Sequence, residues 1–367
     1  MKAGLKASTT DETANIDKSM KTAFDAVAFA RALINIDSTT GREAEAGEWL
    51  ARELTALGYT VLRQPVDRGC ANILATIDPP LVVFSTHYDC VPPFFPSRID
   101  GSRLYGRGAC DAKGILAAQV AAAERLRARG ERRVGLLFVV GEERGSDGAV
   151  VANASPAGSR FLINGEPTDN RLGRATRGVL RLRLRAAGRA AHSATPERGE
   201  SAIDKLLDAL IALRSIPLPS DPELGPTSYS IGLIDGGIAP NVVSPHASAE
   251  LVFRTIGPPE DVLQAIRPLD RYVTSEEVLR VPHVWMHTVP GFDSEVFRFT
   301  TDVPLLDRWG TPLLFGPGSI LVAHTSEEHL EIDEMDRAIV AYEQLAMACL
   351  NSSASMDLPP EGGSHVL

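Results

Sequence analysis

The apolar positions of this chain recur in two rhythms, and the change between them divides it. Over residues 22–36 and 43–57 they return at helical spacing, which predicts two opening helices. Short strands are predicted at 60–63 and 72–77, and Pro79-Pro80 then interrupts the chain. Residues 81–86 (LVVFST), 134–140 and 160–164 are continuous apolar runs, as expected of strands buried on both faces. An Ala-rich helix is predicted between the first two of these runs, from about 114 to 129.

From 177 the rhythm becomes strict alternation, with Leu180, Leu182 and Leu184 set against Arg181, Arg183 and Arg185. That pattern predicts a half-buried strand with one wet face, its arginines solvated or, alternatively, available to an anion. Residues 201–213 place Ile203, Leu206, Leu207, Leu210 and Ile211 on one helical face. Strands at 229–234 and 247–255, a helix near 260–266 and a last strand near 283–288 complete a β-α-β-β-α-β order. After about 289 the first rhythm resumes, with a strand at 313–315, the loop 316–319 and a closing helix at 333–350. The fold class expected is α/β: a mixed, mostly parallel sheet flanked by helices over 1–176 plus 289–367. An inserted α+β, ferredoxin-like domain is expected over 177–288.

The 367 residues carry a net charge of −10, which suits an ordinary soluble protein and argues against a nucleic-acid partner. No apolar run reaches the roughly eighteen residues of a membrane span. Cys70, Cys90, Cys110 and Cys349 are scattered without CxxC spacing, so reduced thiols and a cytoplasmic location are expected. Residues 1–20 lack the apolar segment of a secretory signal; they and residues 353–367 are expected to be flexible.

Candidate chemistry gathers where buried strands run out, the place where open α/β sheets bind ligands. His87 and Asp89 follow the run 81–86, Glu142 and Glu143 follow 134–140, and Glu166 follows 160–164. Asp111 lies in GRGACDAKG, and His324 lies in the resumed part. Taken singly, these residues are ordinary: Glu-Glu-Arg reads as a solvated turn, and Glu166 before Pro167 as a turn residue. Together, two imidazoles and several carboxylates suit Zn²⁺ or Co²⁺ and exceed what one tetrahedral ion accepts. Two ions sharing a bridging carboxylate are therefore expected. Neighbouring residues leaving a strand diverge, so one glutamate of the pair can hold metal while the other takes a proton. Asp89 is placed to accept the second N–H of His87. Cys90 and Cys110 read as small buried thiols, and His246, His283, His287 and His329 as ordinary surface or loop residues.

The motifs THYDCVP, GRGACDAKG, GEERG, NGEPT and AHTSEE, in this order, resemble those of a zinc-dependent family. That family holds acetylornithine deacetylase, succinyl-diaminopimelate desuccinylase and the glutamate-type carboxypeptidases, and the similarity runs from about residue 25 to 350. The resemblance implies a zinc-exopeptidase-like catalytic domain with the insert as a lid and dimerisation domain. It implies that His87, Asp111 and Glu166 hold one zinc ion, and Asp111, Glu143 and His324 the other. Asp111 would bridge them and precede a non-proline cis peptide, and Glu142 would be the general base. By the same resemblance His192, in GRAAHSATPERGE, reaches the partner's active site in a homodimer, and Asn241 approaches the substrate. Arg254 ends AELVFRT either as a bidentate partner for an α-carboxylate or as a solvated strand end. Gly316 and Gly318 are expected to leave backbone amides free to cradle that carboxylate.

The activity implied is hydrolysis of a linear amide, with Glu142 moving a proton from water to the leaving amine. GGIAPN and FGPGS…AHTSEE look nearest to acetylornithine deacetylase, which acts on an N-acyl amino acid in arginine biosynthesis. A dipeptidase or carboxypeptidase acting on short peptides and a desuccinylase are the alternatives. A scaffold without metals is disfavoured by the presence of every ligand and the base.

Overall fold

The computed structural model describes residues 24–352. The leader at 1–20, the tail at 353–367 and the start of the helix predicted from 22 lie outside the described residues. The continuous apolar runs form the middle of a nine-stranded mixed sheet. Val134–Val139, Val82–His87, Phe161–Asn164 and Thr311–Leu314 lie side by side in that order and run parallel. Every residue of the first two is buried, because alternate side chains enter different cores. Phe84, Leu136 and Phe138 pack with Leu116 of helix Lys113–Ala128 and Tyr342 of helix Ile332–Asn351. Val83, Leu137 and Val139 pack instead with Trp309 and with Ala149 and Ala152 of helix Asp147–Ala154. Truncating such a side chain costs about 2–5 kcal/mol, so layers on both sides fix the strands.

The outer pairings are mostly antiparallel. Thr60–Pro65 and Ala71–Thr76 flank one side, while Leu172–Thr176 and Val284–Trp285 flank the other. Apart from Ser294–Phe297, which pairs in parallel with Leu172–Thr176, parallel character belongs to the four central strands, whose carboxyl ends all emerge at one edge.

The alternating segment builds a second, antiparallel sheet in the order Ser228–Gly236, His246–Thr255, Gly178–Ala187, Thr274–Val281. Helices Ala202–Leu213 and Pro259–Ile266 cover one face, and this sheet has a hydrophobic cluster of its own. On the open face Arg183 Nη2 lies 2.6 Å from Glu250 Oε1 and Arg185 Nη2 lies 2.8 Å from Glu276 Oε2. The arginine stripe is thus a paired, solvated face.

Two expectations are corrected here. The sheet's last strand is Thr274–Val281, not 283–288. TSEEVLRV is almost wholly exposed at a sheet edge and offers no apolar rhythm to read, whereas Val284–Trp285 pairs with Leu172–Thr176 in the large sheet. In helix Ala202–Leu213 the apolar residues occupy two faces. Leu206 and Leu210 enter the core, while Ile203, Leu207 and Ile211 point outward at 38%, 49% and 64% exposure.

A small sheet of Arg98–Asp100, Arg103–Tyr105 and His329–Glu331 is too short and polar to have been predicted. It clamps the segment after His324 onto the segment before Asp111. Among the described residues no helix is long and apolar enough to cross a membrane.

Candidate metal centre

Strand Val82–His87 ends by presenting a buried imidazole. His87 Nε2 lies 2.9 Å from Asp111 Oδ1, and Nδ1 lies 3.0 Å from the carbonyl oxygen of Asp89. Asp111 comes from a loop that only glycine can close: Gly108 has φ +88°, and a Cβ there would stand 2.7 Å from Cys90 Sγ. The Asp111–Ala112 peptide is cis, as the resemblance implies. Asp111 Oδ2 faces His324 Nε2 at 3.3 Å, and that nitrogen is also 3.0 Å from Glu143 Oε1. One carboxylate thus meets two imidazoles, each through a different oxygen, which is the geometry of a bridge. Donor atoms of His87, Asp111 and Glu166 lie within 4.8 Å of one another, as do those of Asp111, Glu143 and His324. The fold therefore brings together all five residues expected as ligands.

The donors fit divalent cations. Glu166 is buried and its Oε1 has no hydrogen-bond partner among the described residues, a costly arrangement for an anion unless a cation meets it. Burial, then the nearby Glu142, holds the Glu166 carboxyl well above its usual range. Enclosure by protein does the same to Glu142, with Asp302, Asp111 and Glu143 adding to it. Burial also raises Glu143, against the hydrogen bond from His324. For His87 burial acts downward, but hydrogen bonds to Asp111 and Asp89 win and hold the imidazole well above its ordinary value. Asp111, then Glu143, pushes His324 up to about 10. Both triads draw positive charge, as protons on the imidazoles or as divalent ions.

Glu142 belongs to neither triad and sits in the short turn Glu142–Arg144 after Gly141, whose φ is +77°. Asp89 makes more contacts than the one expected of it. Its carboxylate accepts the N–H groups of Glu142 and Glu143 at 3.2 Å each, and its Oδ1 is 3.5 Å from His87 Nδ1. The Asp89 carbonyl is the nearer contact to His87, so Asp89 faces the imidazole through both its carbonyl and its carboxylate and also positions the glutamate turn.

The expected substrate-binding residues divide. His192 and Asn241 are exposed and adjacent, for the Ser193 N–H donates to the Asn241 carbonyl at 2.9 Å. The hydrogen bonds of His192 stay within its own loop among the described residues. Arg254 is partly buried, and burial alone shifts its guanidinium downward, with no carboxylate against it among the described residues. The free amides expected of Gly316 and Gly318 are not free: the first donates to Thr168 Oγ1 and the second to Glu334 Oε1, both at 2.9 Å. These glycines allow close packing instead. A Cβ at Gly316 would stand 2.5 Å from the Glu166 carbonyl oxygen, and one at Gly318 2.6 Å from Cys110 Sγ.

Two buried acids escaped sequence reasoning. Asp302 is 1% exposed with Oδ1 unpartnered among the described residues, and burial pushes it up to about 6; its context, TTDVP, gave no signal. Glu328 is fully buried against Arg107, and its one signal was its place in AHTSEE beside His324.

Known proteins share this architecture. The pattern of peptidase family M20/M25/M40 matches residues 83–348. A protein of Aspergillus terreus named as a probable carboxypeptidase is 36% identical, over 88% of this chain and 86% of its own. A tripeptidase from Staphylococcus aureus superposes with a TM-score of 0.73 at 20% identity, covering 89% of this chain and 97% of its own. The YXEP protein of Bacillus subtilis, described as a dinuclear metal binding peptidase from the M20 family, gives 0.66 at 16% identity, over 89% and 98%.

Proposed function

This chain belongs to peptidase family M20/M25/M40, hydrolases of amide bonds, and from that premise we propose a two-metal peptidase that cleaves short peptides bearing a free α-carboxylate. The observation that carries the reading is Asp111 shared by two donor triads, with Glu142 beside them and outside both. Divalent ions supply, when bound, polarisation of an amide carbonyl and acidification of water. His87, Asp111 and Glu166 would hold one, and Asp111, Glu143 and His324 the other, Zn²⁺ or Co²⁺ suiting the donors.

Glu142 is the proton carrier: it takes a proton from the attacking water and returns it to the leaving amine. Its raised pKa suits the second half of that task, since a reluctant carboxylate gathers a proton readily. Arg254 supplies a guanidinium, unpaired among the described residues, for the substrate's α-carboxylate. His192 and Asn241 form a polar pair for the substrate end of the cleft, delivered across a homodimer. The outer face of helix Ala202–Leu213 and the edge strand Ser228–Gly236, with Leu233 and Ile234 61% and 62% exposed, are the surfaces a second copy would cover.

The relatives' names favour a peptide over the N-acetylornithine that the motifs first suggested. The test is a panel of dipeptides, tripeptides, N-acetylornithine, N-acetylcitrulline and succinyl-diaminopimelate, assayed with Zn²⁺ and Co²⁺ by mass spectrometry of products. A peptide is expected to exceed the acyl amino acids in kcat/KM by about tenfold or more. The reverse order would return the chain to the deacetylase branch.

A further inference from the structure

Glu328 belongs to neither donor triad, yet it is 0% exposed and makes four charge-assisted hydrogen bonds. Its Oε1 accepts the backbone N–H groups of Gly108, Cys110 and Asp111 at 2.9, 3.1 and 3.1 Å. Its Oε2 accepts from Arg107 Nη1 at 2.5 Å. Arg107 is 2% exposed and anchored in turn through Nε to the Pro93 carbonyl at 3.2 Å. The Glu328 carbonyl accepts the N–H of Gly106 at 3.2 Å, so the grip is continuous along the loop. Hydrogen bonds to a buried carboxylate are the stronger class, and one of these ends on the bridging residue itself.

The partner of this grip is His324, in the same loop as Glu328. Its backbone is left-handed, with φ +65°, and its side chain is 48% exposed. Packing therefore does little to hold the imidazole, and its place depends on where its loop is fastened. The two triads differ in this respect. His87 and Glu166 leave buried strands, whereas Asp111 and His324 both come from loops that Glu328 joins.

We propose that Glu328 is a positioning residue for one of the two ions: it keeps Asp111 and His324 in register, and through them the Asp111–Glu143–His324 position. The inference rests on the two-metal reading above. It predicts an unequal effect, in which that position weakens and the His87–Asp111–Glu166 position is largely spared.

The experiment is calorimetric titration of metal-free full-length protein with Co²⁺, for the wild type, Glu328→Gln and Glu328→Ala, with folding checked by circular dichroism. Gln keeps one acceptor oxygen for the three N–H groups but turns an NH₂ toward Arg107, so the ion at the Asp111–Glu143–His324 position should lose about tenfold in affinity. Ala removes both anchors and should lose about a hundredfold, the other ion changing by less than about threefold in each case. If Glu328→Ala does not fold, Glu328→Gln decides alone. A wild type binding two ions beside a folded Glu328→Gln protein with unaltered affinities, or with both weakened equally, overturns the inference. A wild type that binds no ion overturns the two-metal reading and the inference with it.

Discussion

The carboxylate of Asp89 accepts the backbone N–H groups of both Glu142 and Glu143, at 3.2 Å each. The residue that follows the His87 strand therefore also aims the two glutamates, and one side chain aligns a ligand, a second ligand and a base. Replacing Asp89 by Ala leaves two N–H groups in a partly buried turn without their acceptor, at about 1–3 kcal/mol apiece. We expect kcat/KM to fall about a hundredfold, with Asp89→Asn losing less because one oxygen survives. Steady-state kinetics on the best peptide, with metal content measured beside it, decides the matter. Wild-type activity in Asp89→Ala would mean that the turn is held by other contacts.

The separation of Glu142 from the donor triads predicts a separation of effects. Glu142→Ala should retain both ions and lose about 10²–10⁴-fold in turnover, the usual scale of general acid–base catalysis. Glu143→Ala should lose the ion at the Asp111–Glu143–His324 position as well as activity. Elemental analysis after dialysis reads both. If Glu142→Ala emptied a position while Glu143→Ala kept both, the two roles would be exchanged.

Much of this centre was legible before any coordinates, because the fold delivers its ligands at the ends of apolar runs. LVVFST and the run at 134–140 announce strands buried on both sides, and His87 and the glutamate pair stand just past them. What stayed hidden lacks such a rhythm. Thr274–Val281 is an exposed edge strand, so no apolar alternation betrays it. Gly316 and Gly318 looked like open amides because a sequence shows that a glycine is present but not which acceptor faces it. The same limit hid the two N–H groups that the carboxylate of Asp89 accepts besides facing His87. Asp302 and Glu328 are buried acids whose importance lies in what surrounds them, and composition carries no trace of that.

Metal loading should depend on pH in a defined direction. His324, ordinarily at 6.5, is held at about 10 by Asp111 and Glu143, so an ion entering there displaces a proton. Between those values affinity should rise by up to about tenfold per pH unit, and loading near neutral pH should release about one proton from His324. The sign for the metal-free protein follows from the same shift. A raised folded-state pKa contributes stability that is fully present below 6.5 and lost as pH rises through about 10. The side chain is 48% exposed, so solvent screening keeps that contribution small. Zn²⁺ titrations in weakly buffered solution at several pH values, compared with His324→Ala, measure both. An affinity flat from pH 6.5 to 9 would show that His324 is not displaced.

His192 presents the sharpest test of how the two sheets cooperate. It lies beside Asn241 on exposed loops of the smaller sheet, and among the described residues its own hydrogen bonds stop within its loop. If it completes the active site of a second copy, His192→Ala should keep both ions and lose about a hundredfold in kcat, the scale for removing one oxyanion donor. Mixing it with Glu142→Ala then separates the alternatives. Random re-pairing makes half the dimers mixed, and each mixed dimer holds one site with Glu142 from one subunit and His192 from the other. Recovery should therefore approach about a quarter of wild-type activity. If His192 served its own subunit, every site in the mixture would lack either the base or the imidazole, and nothing would be recovered. Sedimentation confirms that the mixture is dimeric, so recovery near a quarter places His192 across the interface and recovery near zero confines it to its own chain.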